Sequence, residues 1–222
     1  MEKRLYIKPF HLKVNNSVLI ENFSLDFEGK KSICLLGESS SGKSYLLATL
    51  KRYSPSSIGF YFKEESATEN YYKELSYQGR EKNAQNLIDS LCRNGQFISY
   101  KIALLKVVFS SKPYLFLDDL HHYLTHHEFY DLYSYIQSQN ISLFYVTTCI
   151  EDCLLFDYLI FIKSHKIAIE GKTLSVLKEE KILKMLGYSL PFYVNMSTLL
   201  GYYGVLNKIC YNKEELESEL WK

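Results

Sequence analysis

At 222 residues and 26.0 kDa the chain can bury a sizeable core, and one compact domain with a short appendage is the natural division. With 47% hydrophobic and 23% charged residues it is not a disordered composition, and a net charge of +1 supplies no general attraction for nucleic acid. No stretch reaches the roughly 20 uncharged apolar residues of a membrane span; the best candidate, Ser142 to Ile162, is interrupted by Glu151, Asp152 and Asp157.

The first residues, Met1-Glu2-Lys3-Arg4, lead into a strand-like segment and not into the apolar core of a signal peptide, so a cytosolic chain is expected. Leu5-Tyr6-Ile7 reads as a short strand and Asn15-Asn16 as a turn. Val18 to Phe27 reads as a second strand, in which Phe23, Leu25 and Phe27 alternate with polar residues. Gly29-Lys30-Lys31 turns the chain into the apolar run Ser32-Ile33-Cys34-Leu35-Leu36, a buried strand.

Residues 37 to 44, Gly37-Glu38-Ser39-Ser40-Ser41-Gly42-Lys43-Ser44, fit G-x-x-x-x-G-K-[ST]. Leu46, Leu47, Leu50 and Tyr53 then recur at helical spacing until Pro55, so the motif joins a strand to a helix. In that setting glycines let backbone N–H groups turn inward, and the helix N-terminus adds its own unpaired N–H groups, making a hollow for a polyphosphate. Lys43 is expected on the outer phosphates and Ser44 on Mg²⁺, which takes oxygen from few protein groups. With Tyr45, residues Gly37 to Ser44 form the expected nucleotide-binding stretch.

Ile58 to Phe62 reads as a strand, and the polar residues from Lys63 to about Gln85 lead into a helical stretch, Asn86 to Phe109. Leu87, Leu91, Ile102, Leu105 and Phe109 are its inward positions, within a helical insertion over about residues 64–110. Next, Tyr114-Leu115-Phe116-Leu117-Asp118-Asp119 is a buried strand delivering carboxylates at its C-terminal end, where open parallel sheets bind ligands. Asp118 is the expected outer-sphere partner of Mg²⁺; Asp119 stands where a group would orient an attacking water.

His121, His122, His126 and His127 follow, with His122 and His126 four apart as zinc ligands on a helix are. No glutamate follows His122 as the zinc-protease pattern requires, so solvated loop histidines are the expectation. Phe129, Leu132, Tyr133 and Ile136 set a helix ending near Asn140. Strands follow at Leu143 to Val146 and at Tyr158 to Ile162. The latter turns at Ser164-His165-Lys166 into Ile167-Ala168-Ile169 and stops at Glu170-Gly171. Strands alternating with helices argue for an α/β fold with a mostly parallel sheet.

Beyond Lys172 only short helices are expected. Leu174 to Leu186 is amphipathic, Gly187 a helix end, Pro191 the start of a new segment, and Asn212 to Glu215 an N-cap with its third-position glutamate. An appendage this small should pack on its own core or on a partner. The five cysteines, an odd number without paired spacing, are expected as reduced thiols, Cys149 and Cys153 among them as packing residues. The 20 tyrosines are scattered and not interleaved with arginines, which favours packing over base stacking.

The order of parts resembles the nucleotide-binding subunits of ABC transporters: an N-terminal antiparallel β-layer, a P-loop NTPase core, a helical insertion, an acidic strand and a strand ending in Val146-Thr147-Thr148. The tail, from Glu170-Gly171-Lys172-Thr173 through Ile182 to Phe192 and on to Asn212-Lys213-Glu214-Glu215-Leu216, is similar to the C-terminal region of energy-coupling-factor transporter ATPases. The resemblance runs over essentially the whole chain, most closely at 5–50 and 158–192 and least at 63–110. It implies an ABC-type unit over 1–171, a helical appendage over 172–222, ATP and Mg²⁺ as cofactors, and a second ATPase and an integral membrane component as partners. It also implies a place on the cytoplasmic face of the membrane, work in uptake of a vitamin or metal ion, and no nucleic acid.

Several family residues do not carry over. Lys63 stands where the family has a glutamine, Asp119 where it has the catalytic glutamate, Thr148 where it has the switch histidine, and Thr125 where it has the D-loop aspartate. The LSGGQ signature has only Asn94-Gly95-Gln96 or Ile98-Ser99-Tyr100 as remnants, and Phe10 or His11 is left to stack on adenine. Phosphate and Mg²⁺ binding keep Lys43, Ser44 and Asp118, whereas the groups that place water for cleavage are altered, so weak or absent hydrolysis is expected. A soluble DNA-repair ATPase of the RecF type is the alternative from Leu117-Asp118-Asp119 and Tyr145 to Thr148. An ATP-binding interaction subunit without turnover is another.

Overall fold

Strands buried on both faces, each with alternate residues turned to opposite sides, organise the molecule. The computed structural model describes residues 5–14, 17–53, 56–67 and 82–221. Its six-stranded sheet runs β4 (Ile58–Tyr61), β5 (Tyr114–Asp118), β6 (Ser142–Thr147), β3 (Ser32–Gly37), β7 (Tyr158–Lys163) and β8 (Lys166–Lys172), parallel except for β8. A separate antiparallel pair is formed by β1 (Tyr6–Val14) and β2 (Ser17–Asp26).

The period of two sorts the core into layers. Ile33, Leu35, Phe116, Phe144, Val146, Ile160 and Ile162 face one side, where they pack with α1 (Lys43–Tyr53) and with Leu12, Ile20, Phe23, Leu25 and Phe27 of the β-layer. Cys34, Leu36, Leu115, Leu117, Leu143, Tyr145, Leu159 and Phe161 face the other. That side is covered by α2 (Lys82–Cys92), α3 (Ile98–Val108) and α4 (His126–Ser138). Full burial of side chains such as Phe144 or Leu159 is each worth about 1.5–3 kcal/mol.

β1 is longer than the expected Leu5–Ile7. Pro9 stands within it although proline has no N–H to give a ladder. The pairing shifts register between Ile7 and Phe10 and the edge strand continues. The strand expected to reach Phe62 stops at Tyr61. The single helical run expected over Asn86–Phe109 is two helices, broken at Gly95 (φ 65°) and Phe97 (φ 53°), while Leu87, Leu91, Ile102 and Leu105 are buried as expected and Phe109 is half-buried. Asn15-Asn16, Pro55 and much of the polar stretch before α2 lie outside the described residues.

The insertion is tied to α4 by a buried ion pair, Lys101 Nζ to Glu128 Oε1 at 2.7 Å. Glu128 also closes a capping box with Thr125: its carboxylate accepts from the Thr125 N–H, and the Thr125 hydroxyl accepts from the Glu128 N–H.

After β8 the chain forms α5 (Thr173–Val176), α6 (Glu180–Met185), α7 (Phe192–Tyr202) and α8 (Lys213–Leu220). The amphipathic run Leu174–Leu186 is thus two short helices, and Gly187 (φ 87°) ends the second as expected. Val176, Leu177, Leu183, Leu186, Leu190 and Val194 pack in the same core as β7, whereas Leu206, Cys210 and Leu216 form a small cluster of their own. Asn212 caps α8 by accepting from the Glu215 N–H at 2.8 Å.

Candidate functional site

The C-terminal ends of β3, β4, β5 and β6 lie along one edge of the sheet, so Gly37, Lys63, Asp118, Asp119 and Thr148 come together there from four parts of the sequence. The loop from β3 to α1 needs its glycines. A Cβ on Gly37 would stand 2.9 Å from the Ile162 carbonyl oxygen and 3.0 Å from Ser41 Oγ, and Gly42 has φ 89°. Ser40 shares the left-handed conformation at φ 66°. Leu19 and Ile20 of β2 lie under Gly42, so the β-layer braces the loop from outside.

Lys43 is buried and folds its ammonium into this loop. It donates to the carbonyls of Gly37 at 2.8 Å and Glu38 at 2.6 Å, and to Ser41 Oγ at 3.0 Å. Burial pulls its pKa down to about 8, against the opposing pull of the Asp119 and Asp118 carboxylates. Glu38, Ser39, Ser40 and Tyr45 are exposed on the loop's outer side.

Ser44 donates to Asp118 Oδ1 at 3.1 Å. The other oxygen, Asp118 Oδ2, is buried and has no hydrogen-bond partner among the described residues, and burial pushes the carboxyl up to about 6 despite the Ser44 hydroxyl. A buried carboxylate oxygen without a donor, next to a hydroxyl, suits a hard cation that takes oxygen ligands, so Ser44 and Asp118 are the residues that fit Mg²⁺.

Asp119 adopts the left-handed conformation (φ 49°), uncommon outside glycine, and its N–H donates to the Val146 carbonyl at 2.8 Å. Its carboxylate faces Lys63 Nζ at 3.9 Å and accepts a long hydrogen bond from the Thr148 N–H at 3.4 Å. Lys63, Asp119 and Thr148 are thus brought together, with the backbone of Thr148, not its hydroxyl, making the contact.

A buried network that sequence reasoning missed holds this corner. Tyr145 and Thr147 both donate to Asp152 Oδ2, at 2.9 and 3.1 Å, and the Tyr145 hydroxyl accepts from the Leu120 N–H at 3.1 Å. Burial raises the Asp152 carboxyl. Tyr123 donates to the Lys63 carbonyl at 2.6 Å and stacks on Tyr100 of α3 with centroids 4.5 Å apart. Behind the loop, Lys163 Nζ lies 3.3 Å from Glu38 Oε1 and donates to the Met185 carbonyl at 3.3 Å.

His126 and His127 are solvent-exposed as expected but stand in the first turn of α4, not in a loop, and His121 is partly buried. His121 lies in a 3₁₀ turn, Leu120–His122, with Nδ1 2.9 Å from Asp119 Oδ1, in a geometry too bent for a hydrogen bond. His122 and His126, four apart in sequence, fall in different elements, the turn and the start of α4. The signal was the spacing of Asp119, His121 and His122, which a short helical turn gathers on one side.

Phe10 packs edge-on against Phe23 at 5.9 Å, and His11 Nδ1 accepts from the Asn22 N–H at 3.2 Å. Asn94-Gly95-Gln96 is the exposed turn between α2 and α3, and Ile98-Ser99-Tyr100 opens α3. Thr125, at the D-loop position of the resemblance, is the N-cap of α4.

No family model and no curated protein matches the sequence. Among solved structures, a bacterial ABC exporter of the Atm1 family with ATP bound superposes with a TM-score of 0.63 at 11% identity, over 82% of this chain and 41% of that one. The likeness is one of fold: a mostly parallel six-stranded α/β sheet with helices and an antiparallel two-stranded layer. The chain spans less than half the length of that exporter chain, and among the described residues no helix is long and apolar enough to cross a membrane.

Proposed function

We propose that the chain is the ATP-binding subunit of an energy-coupling-factor type ABC transporter, pairing with a second ATPase beneath an integral membrane component to drive uptake of a small nutrient. In this reading residues 1–171 are the nucleotide-binding unit, with the insertion over about 64–110, and 172–222 are the appendage. The observation that carries it is the meeting of the glycine loop, the enclosed Lys43 and the Ser44–Asp118 pair at one sheet edge.

Backbone N–H groups of residues 37–44 and the N-terminus of α1 cradle the phosphate chain, and Lys43 exchanges its loop carbonyls for phosphate oxygens. Ser44 and Asp118 hold Mg²⁺, which when bound neutralises phosphate charge. Asp119 orients water, Thr148 and Lys63 flank it, and the altered set makes cleavage slow. ATP held between two subunits favours their closed state because it contacts both.

A second reading, an ATP-binding subunit without turnover, is favoured by the engagement of Asp119 with Lys63, His121 and the Thr148 N–H. Calorimetry with Mg·ATP decides the shared core. Heat of association in the native complex, weakened about tenfold or more by Lys43→Ala as one charged hydrogen-bonding group is lost, supports it. No heat in either overturns it. Turnover by the complex that Asp119→Ala lowers supports the first reading, and turnover unchanged by it supports the second.

A further inference from the structure

Three metal-capable side chains meet at the turn after β5, and their chemistry differs from that of Ser44 and Asp118. We propose that Asp119, His121 and His122 form a three-ligand site for one zinc-class divalent cation. One ligand atom from each of the three lies within 4.8 Å of the others, the only such group of three among the described residues. His121 Nδ1 lies 2.9 Å from Asp119 Oδ1 and His122 Nε2 3.6 Å from Asp119 Oδ2, so a small turn of the carboxylate brings one oxygen near the roughly 3.3 Å that separates ligands of a tetrahedral ion with bonds of about 2.0–2.1 Å.

The backbone is set for this before any ion arrives. Asp119 is held in the left-handed region with its N–H on Val146, the Leu120 N–H is held by the Tyr145 hydroxyl, and the Tyr123 N–H closes on the Leu120 carbonyl. His121 Nδ1 is buried and makes no hydrogen bond, which leaves a nitrogen available as a ligand. Two imidazoles and one carboxylate select borderline ions such as Zn²⁺ over Mg²⁺, which prefers oxygen. Three protein ligands leave a fourth position open to water.

Lys63 competes with the cation for the same carboxylate, 3.9 Å away, so binding displaces it. Where Asp119 orients water, an ion here removes that carboxylate from the reaction and holds the site inactive. This consequence rests on the proposed function; the binding does not.

The test uses the full chain in a Cys149→Ser background, because Cys149 is the half-exposed thiol, stripped with chelator and titrated with ZnCl₂ against a chromophoric indicator. One equivalent binding at micromolar concentration or tighter is expected, weakened at least tenfold by His122→Asn, whose exposed side chain makes a folding defect a small concern, and abolished by His121→Asn with His122→Asn. His126→Ala with His127→Ala leaves binding unchanged. CoCl₂ in place of zinc gives visible d–d absorption without sulfur-to-metal charge transfer. Equal binding by wild type and the histidine variants, absence of micromolar binding, or a sulfur charge-transfer band overturns the proposal. Each readout is independent of ATP, so a protein that binds no Mg·ATP leaves this result standing.

Discussion

The Ser44 hydroxyl donates to Asp118 Oδ1 across 3.1 Å, joining the first turn of α1 to the tip of β5, while Asp118 Oδ2 stays buried with nothing donating to it. That half-satisfied carboxylate makes the site electrostatically costly to the folded protein and ready for a cation. The cost can be measured.

Folded Asp118 binds its proton more tightly than the unfolded chain does, with a pKa of about 6 against 3.8. The unfolded state therefore carries fewer protons through that window, and stability falls as pH rises from about 4 to about 6. Wild type should lose on the order of 2–3 kcal/mol relative to Asp118→Asn across it, at about 1.4 kcal/mol per unit of pKa. Urea unfolding at pH 4 and pH 7 checks this; a constant difference between the two proteins contradicts it.

Lys101→Met should destabilise the chain by about 3–5 kcal/mol, because Glu128 is left as an unpaired buried charge. Adding Glu128→Gln should recover part of the loss, since no charge is then buried and the amide oxygen can still accept from the Thr125 N–H. Denaturation midpoints of the single and double variants give the comparison.

Gly37→Ala should weaken the fold by about 1–3 kcal/mol, since the added methyl meets the Ile162 backbone carbonyl, which cannot swing aside. Under the proposed function it also lowers Mg·ATP affinity by narrowing the loop. Gly95→Ala meets no atom within 4 Å, so only the strain of its positive φ, about 1 kcal/mol, is expected there. Thermal unfolding of the two variants reads the contrast.

Native thiols should react slowly with iodoacetamide at neutral pH. Cys149, only half-exposed and with its pKa pushed up to about 12 by burial, should label first. Cys34 and Cys153, buried with sulfurs 3.2 Å apart, should label only after unfolding. Mass spectrometry of timed samples resolves the order.

The sheet was legible because its strands are short apolar runs buried on both faces, as Ile33 to Leu36 and Leu115 to Leu117 are, and their placement between helices implied parallel pairing. The glycine loop was legible because its geometry demands particular residues at fixed positions. The break at Gly95 was not, since apolar spacing from Leu87 to Leu105 carries on across it. Nor was the approach of Lys63 to Asp119, because contacts between the ends of different strands leave no periodic trace. Asp152, in the sequence only a charge interrupting the apolar run Ser142 to Ile162, lies beneath the site, held by Tyr145 and Thr147.

Tyr100 stacked on Tyr123, with Tyr123 holding the carbonyl of Lys63 and Tyr61 reaching the carbonyl of Tyr100 at 3.3 Å, clips the helical pair to the strand that ends beside Asp119. A tilt of α3 therefore tugs on the lysine opposite that carboxylate. Whatever leans on the outer face of the two helices bears on a chain of contacts that ends opposite the Asp119 carboxylate.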